Sequence, residues 1–184
     1  MASFQKKAFI VLVILQLVVL GAMIGQRKYL LKTGTVVRLK CQPVDPRSLF
    51  SGDYVILTYK ISRLRQIGNK SWNDLNKRKL KFKKSDVIYA ALKQEKDSPY
   101  WSVAEVAKNI DDLNKKYKVV LRGRVTSIYN MAIRYGVENY FVPQYEGLKI
   151  ERIIRDVSVD IAVNSSGVSA IKNLYIKGKA VIFK

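Results

Sequence analysis

Residues 8–25 carry no charge and one polar side chain, Gln16, whereas from residue 33 onward apolar and polar residues alternate in short runs between turn formers. As a helix, the first run extends about 27 Å, against a bilayer hydrocarbon core of about 30 Å. It has no polar face, so it fits poorly as the helix of a soluble core. A cleaved signal peptide and a retained anchor remain. The run is longer than a usual signal core and no small-x-small site follows it. Ala22 has Leu20 at the −3 position and Gly25 has Met23 there, which favours the retained anchor.

Beyond the run, period-two patterning predicts strands. Residues 33–41 place Val37, Leu39 and Cys41 on one face and Val36, Arg38 and Lys40 on the other. Residues 54–61 set Val55, Leu57, Tyr59 and Ile61 against Tyr54, Ile56, Thr58 and Lys60. The second set is half apolar, which predicts cover on both sides. Residues 86–93 and 99–107 form a hairpin turning at 94–98, with Trp101, Val103 and Ala107 as core residues. Residues 118–128 form another strand, in which Gly123 marks a bulge or a close backbone approach.

Residues 156–163 alternate Val157, Val159, Ile161 and Val163 with Ser158, Asp160 and Ala162, the pattern of a half-exposed strand. A turn at 164–167 leads to strand 168–177, and 178–183 finish the chain. Residues 147–155 fit a short amphipathic helix. The chain is therefore expected to be mainly β. A transmembrane helix (8–25, within a tip, anchor and linker at 1–32) precedes a β-rich domain at 33–184, barrel- or sandwich-like, with one short helix.

Formal charge is +20, from 34 Lys and Arg against 14 Asp and Glu. Such an excess points to anionic surroundings or to the Lys-, Ile- and Asn-rich composition of an AT-rich genome. It concentrates in a basic insertion, residues 60–84, where ten Lys or Arg meet one acid, Asp74. This reads as a solvated excursion between strands, with a short helix near Asp74. Lys77, Arg78, Lys79, Lys81, Lys83 and Lys84 are its candidate anionic-surface residues. On lipid each would contribute about 1 kcal/mol. Nucleic acid is not favoured as a partner, because Trp72 alone offers a stacking face between residues 60 and 81.

There is no histidine and one cysteine. That removes histidine acid–base chemistry, the usual zinc sites and any intrachain disulfide, and no cofactor or metal is indicated. Cys41, in a predicted strand, reads as a small buried hydrophobe. Lys6 and Lys7 before the apolar run balance Arg27, Lys28 and Lys32 after it, so charge alone does not orient the helix.

Two motifs remain. Gly52, Asp53, Tyr54, Leu57 and Tyr59 spell G-D-Y-x-x-L-x-Y, behind the lead-in Asp45-Pro46-Arg47-Ser48-Leu49-Phe50. Tyr135, Gly136, Glu138, Tyr140, Phe141, Val142 and Pro143 form the second, and Gln144-Tyr145 then precede Glu146-Gly147. Both resemble the bacterial GDYXXLXY family, over most of residues 33–180. In the second, the family's acidic residue would have to come from Glu146, displaced along the chain. The resemblance implies a single-pass protein of the cytoplasmic membrane, N-inside, with an extracytoplasmic β-domain and no established activity. It also implies an integral membrane partner, since family members accompany multi-pass membrane proteins.

If the motifs meet, Asp53, Tyr54, Tyr59, Tyr135, Glu138, Tyr140 and Glu146 could line one pocket of carboxylates and phenols, a setting for acid–base chemistry. The structural alternative has Asp53 bonding turn backbone, the tyrosines packed with satisfied hydroxyls, and Glu138 paired with Arg134 or another cation. A membrane-anchored serine–lysine peptidase fits in outline only: Ser48-Leu49-Phe50-Ser51 lacks the Ser-Met-x-Pro context, and no lysine is singled out. The expected function is a non-catalytic accessory or scaffold that binds an envelope or integral membrane protein. The alternatives are a basic module binding anionic lipid or an acidic partner through residues 60–84, and an envelope hydrolase.

Overall fold

A computed structural model describes residues 2–43, 54–64, 82–129, 131–143, 147, 150 and 152–181. Helix α1 (Ala2–Thr33) runs well past the apolar stretch, so the expected linker at 26–32 is helical instead. The reason is local: residues 26–33 contain neither Gly nor Pro, and their Arg, Lys and Leu residues are good helix formers. Thr33 Oγ1 donates to the Tyr29 carbonyl at 2.8 Å, and Gly34 N–H closes the last turn on the Leu30 carbonyl at 2.9 Å.

The two ends of α1 meet different surroundings. Phe9, Leu12, Leu15, Leu20 and Ile24 are each more than half exposed, whereas Leu30 is buried. The last turns lie against strands β9 (Val157–Val163) and β10 (Ser169–Ile176), where Arg27 Nη1 donates to the Ser169 carbonyl at 3.1 Å. A Cβ on Gly34 would lie 2.7 Å from the Leu30 oxygen, 3.0 Å from Val163 N and 3.1 Å from Ala162 Cβ. Only glycine lets the chain turn from helix into strand this close to β9.

β1 (Thr35–Gln42) follows directly and pairs with β9 from Thr35 to Lys40. The largest sheet has five antiparallel strands in the order β11-β10-β9-β1-β3, with β3 at Thr58–Tyr59 and β11 at Lys179–Val181. A second sheet orders β5-β4-β6-β7, formed by Trp101–Ala107, Val87–Gln94, Val119–Ser127 and Ala132–Arg134. β2 (Tyr54–Ile56) and β8 (Asn139–Phe141) pair between them.

Two contacts draw these sheets into a partly closed barrel around one core. Arg38 of β1 bridges to Tyr100 at the start of β5, and Arg122 N–H of β6 donates to the Gly167 carbonyl in the β9–β10 turn at 2.8 Å. Val37, Leu39, Cys41, Leu57, Tyr59, Ile88, Leu121, Ile133, Val159 and Ile161 meet inside.

The mainly β class and the β4–β5 hairpin match the pattern reading, with corrections. β9 is buried at all seven positions, not half-exposed. It lies between β1 and β10, and its polar side is roofed. Asp160 accepts a two-pronged bond from Arg38 (2.6 and 2.9 Å), whose guanidinium lies 3.9 Å from the Tyr175 ring centre. That bond pushes Arg38 up from its ordinary pKa, so its guanidinium stays charged.

The strand expected at 54–61 breaks into β2 and β3 and then coils into a 3-10 turn at Lys60–Ser62. Its inner face is buried, but Ile56 and Thr58 are half-exposed and Lys60 exposed, so it is covered on one side only. Helix α2 (Asp111–Asn114) escaped the pattern reading; it forms because Leu113 buries completely beside Ala91, Ala107 and Val120. Of the helix expected at 147–155, Gly147, Ile150 and Arg152 are helical and Ile154–Asp156 is a 3-10 turn. Gly52, Asp53, Glu146, Lys77, Arg78, Lys79, Lys81 and the short helix expected near Asp74 lie outside the described residues; Lys83 and Lys84 are exposed.

Gly34→Ala should therefore detach the helix from the domain. We expect a stability loss of about 1–3 kcal/mol in urea unfolding in detergent micelles, with new tryptic cleavage after Lys32. Gly25→Ala, where a Cβ meets nothing within 4 Å, should be neutral in both measurements.

Candidate functional site

The two motifs do meet. Residues 54–64 and 131–141 run antiparallel, beginning with Tyr54↔Phe141, Val55↔Tyr140 and Ile56↔Asn139, and Leu57 N–H donates to the Glu138 carbonyl at 2.6 Å. The ladder then stops where Lys60–Ser62 coils. It resumes in unchanged register at Arg63↔Ala132, with Leu64 N–H bonded to the Met131 carbonyl at 3.2 Å.

Side chains bridge the gap. Tyr59, from the first motif, donates its hydroxyl to the Val137 carbonyl of the second. Tyr135, from the second, donates to the Ile61 carbonyl beside the first at 2.9 Å. The alternating pattern drives this arrangement: Val55, Leu57, Tyr59 and Ile61 all face inward and are buried. Buried carbonyls without strand partners need donors, and the two phenols supply them.

The turn that aims Tyr135 is held by Glu138. Its Oε1 accepts from Tyr135 N–H at 2.5 Å and its Oε2 from Gly136 N–H at 2.9 Å. Gly136 has φ +78°, a left-handed conformation that glycine adopts without steric cost. Among the described residues, then, the Glu138 carboxylate takes two main-chain amides rather than the Arg134 guanidinium. Gly123 of β6 is a close approach, as its place in the strand predicted: a Cβ there would lie 3.0 Å from the Tyr135 ring and 2.5 Å from Ile133 Cγ2.

Electrostatics agree with geometry. Burial pushes the Tyr135 phenol well above its ordinary pKa, and the Glu138 charge adds to the shift. Burial likewise raises Tyr59, with smaller contributions from Cys41 and Glu138. Cys41, buried in β1, is pushed up to about 12. Tyr140, opposite Val55, is half-buried and raised by burial. Phenols held protonated and bonded to carbonyls act as donors, not bases.

Leu57, Tyr59, Tyr135, Gly136 and Glu138 thus form one clasp. Phe141 and Pro143 are exposed on the far side of Val142 and the β2–β8 ladder. Of the residues expected to line a pocket of carboxylates and phenols, Tyr59, Tyr135 and Glu138 form a packed seam and direct their polar atoms at backbone. No three His, Cys, Asp or Glu converge as metal ligands among these residues.

An opening lies elsewhere, at the foot of α1. A cleft of about 380 Å³ is lined by Tyr29 and Thr33 of the helix, Gly34 and Thr35, Lys118 and Val119 at the start of β6, and Val163, Asn164 and Ser165 where β9 turns. Pattern reading passed over it. The available signal was Tyr29 among Arg27, Lys28 and Lys32 just past an apolar run, the place of interfacial aromatics in membrane helices.

Together these features define a class: a mainly β protein joined directly to a long apolar N-terminal helix, in which two separated motifs clasp one another. The family model for GDYXXLXY protein matches residues 16–174, and the chain belongs to the GDYXXLXY family. No curated protein and no solved structure matches it.

Tyr59→Phe and Tyr135→Phe each keep the ring and strand a buried carbonyl. Each should lower stability by about 1–3 kcal/mol in urea unfolding. The double variant should lose less than the sum, because the first substitution already loosens the seam that the second acts on.

Alkali should act through the same groups. A folded-state pKa above the unfolded value means stability is complete below the unfolded pKa and falls as pH rises through the folded one. For Cys41 that window runs from 9.0 to about 12, and for the two tyrosines it opens near about pH 10. The urea midpoint should be level from pH 7 to about 8.5 and fall above it. The fall should be shallower in Tyr135→Phe.

Proposed function

We propose that this chain is a membrane-anchored, non-catalytic accessory protein of the bacterial envelope. Its β-domain stands outside the cytoplasm, and an integral membrane protein is its partner. The observation that carries this reading is the unbroken passage from apolar helix to docked helix end. The exposed apolar side chains of residues 9–24 and the buried Leu30 belong to one rigid element. A domain needing only to stay near a membrane is served by a flexible tether. A domain fixed to its helix through Arg27, Leu30 and Gly34 holds one orientation toward anything that packs beside the helix.

Family membership agrees, as does the chemistry of the seam. Among the described residues of the motifs, Tyr59, Tyr135 and Glu138 are engaged as hydrogen-bond partners of the backbone. The excess of cations beyond the helix does not oppose export, since long domains translocate largely regardless of charge.

The test is purification of the tagged full-length protein in mild detergent at low and at high salt. A multi-pass membrane protein in stoichiometric amount, retained at high salt, is the expected result. Recovery of the chain alone at both salts would overturn the reading, as would a C-terminal tag accessible only from the cytoplasm.

A further inference from the structure

We propose that the cleft between the last turns of α1 and the β-domain binds a phospholipid headgroup, the Lys118 ammonium taking the phosphate. The inference rests on the anchored reading above and adds to it a ligand and a site. Three observations carry it: depth, size and chemistry.

Depth comes from helix geometry. The apolar run ends at Gly25, so Tyr29 and Thr33 lie about 6 and about 12 Å further along the axis. The headgroup layer occupies about 5–8 Å beyond each face of the hydrocarbon core. With α1 spanning the core, the Tyr29 side of the cleft sits within that layer and the Thr33 side opens about 4–7 Å beyond it, toward water. The docked helix end fixes this level, because Arg27 is bonded to Ser169 and Leu30 is buried in the domain.

A volume of about 380 Å³ lies within the range of small-ligand sites, about 300–1,000 Å³. Among the described residues the lining is one-signed: Lys118 is its one charged side chain, and no carboxylate contributes. Asn164 Oδ1 is already occupied by the N–H groups of Ser166 and Val168, so what that side chain has left to offer is its NH2 donor. Lys118, Asn164 and the Ser165 hydroxyl thus supply donors at one wall, as a phosphate requires.

The opposite wall is Tyr29 and Thr33, at the carboxyl end of α1, where the helix dipole places partial negative charge. That wall repels a bare anion and suits hydroxyl or ammonium donors. The two walls together match a phosphodiester whose substituent carries donors, as in the glycerol or ethanolamine headgroups of bilayer lipids. They match inorganic phosphate poorly.

The experiment uses the full-length protein in detergent micelles, with phosphatidylglycerol added and bound lipid counted by native mass spectrometry. Wild type should retain one lipid per chain. Lys118→Glu should weaken retention by about tenfold or more, with Lys118→Arg close to wild type. Lys118 is exposed, so an unchanged urea midpoint is expected for both variants. Replacing Lys77, Arg78, Lys79, Lys81, Lys83 and Lys84 by Gln should leave retention intact.

Equal retention by Lys118→Glu, or loss only in the six-residue variant, would overturn the assignment. So would displacement of the lipid by equimolar inorganic phosphate, which would mark a general anion site. Alkaline carbonate extraction of membranes separates the two proposals. Protein that stays in the membrane while its lipid is indifferent to Lys118 sinks the cleft alone. Protein that is released sinks the anchored reading, and the depth argument falls with it.

Discussion

The fold depends on a pair of reciprocal hydrogen bonds that replace a stretch of missing sheet. Between Leu57 and Arg63 the ladder linking the two motif segments is interrupted, yet the strands rejoin in the same register. Tyr59 and Tyr135 explain why. Each reaches across the gap to a main-chain carbonyl of the other segment, with its ring filling the core. A side chain that is both apolar filler and directed donor satisfies two demands at once. Phenylalanine would meet the first and fail the second. The family motif is therefore a structural device among the described residues: its leucine and second tyrosine are the buried face of one strand, and its partner motif supplies the answering tyrosine and the turn.

The seam joins two sheets that otherwise share packing and two main-chain links, at Arg38–Tyr100 and Arg122–Gly167. β3 continues the five-stranded sheet through β1, while β7 continues the four-stranded one through β6. The clasp ties these edges, and the Arg38–Tyr100 bridge ties the opposite side. The helix then docks where side chains are smallest. Gly34 and Ala162 let its last turn lie close to β9, and Arg38 with Tyr175 covers the rest of that strand's polar side. The last turns of the helix are held against β9 and β10 through Arg27 and Leu30, which is why a cleft with defined walls forms at its foot.

Much of this was legible in advance. Short apolar runs bounded by turn formers in residues 33–41, 86–93, 99–107, 118–128 and 168–177 located five strands to within a few residues, although burial alternates along the whole strand in β1 but not in β4, β5 or β10. Gly123 was legible as a close approach, since a glycine inside an apolar strand leaves room for something, here the Tyr135 ring. The misses share a cause. Period two in 156–163 says which side faces the core and nothing about what roofs the other. The end of the strand after Tyr59 depends on the turn at Lys60–Ser62, which no Gly or Pro announces. α2 is one turn long, and its single buried Leu113 leaves no periodic trace.

For the motifs, sequence singled out Tyr59, Tyr135 and Glu138 among others and left their task open. Residue types and spacing determine that residues 8–25 form an apolar helix, that the remainder is mainly β, that histidine and disulfide chemistry are absent, and that two motifs mark the family. These follow from local properties: hydropathy, periodicity and the inventory of side chains. Only the tertiary structure decides that the motifs face each other, that Glu138 takes backbone amides rather than a guanidinium, that β9 is wholly buried, and that a cleft opens beneath Tyr29. Those outcomes depend on which distant backbone groups lack partners after the strands pair, and that is a property of the assembled sheets, not of any stretch of chain.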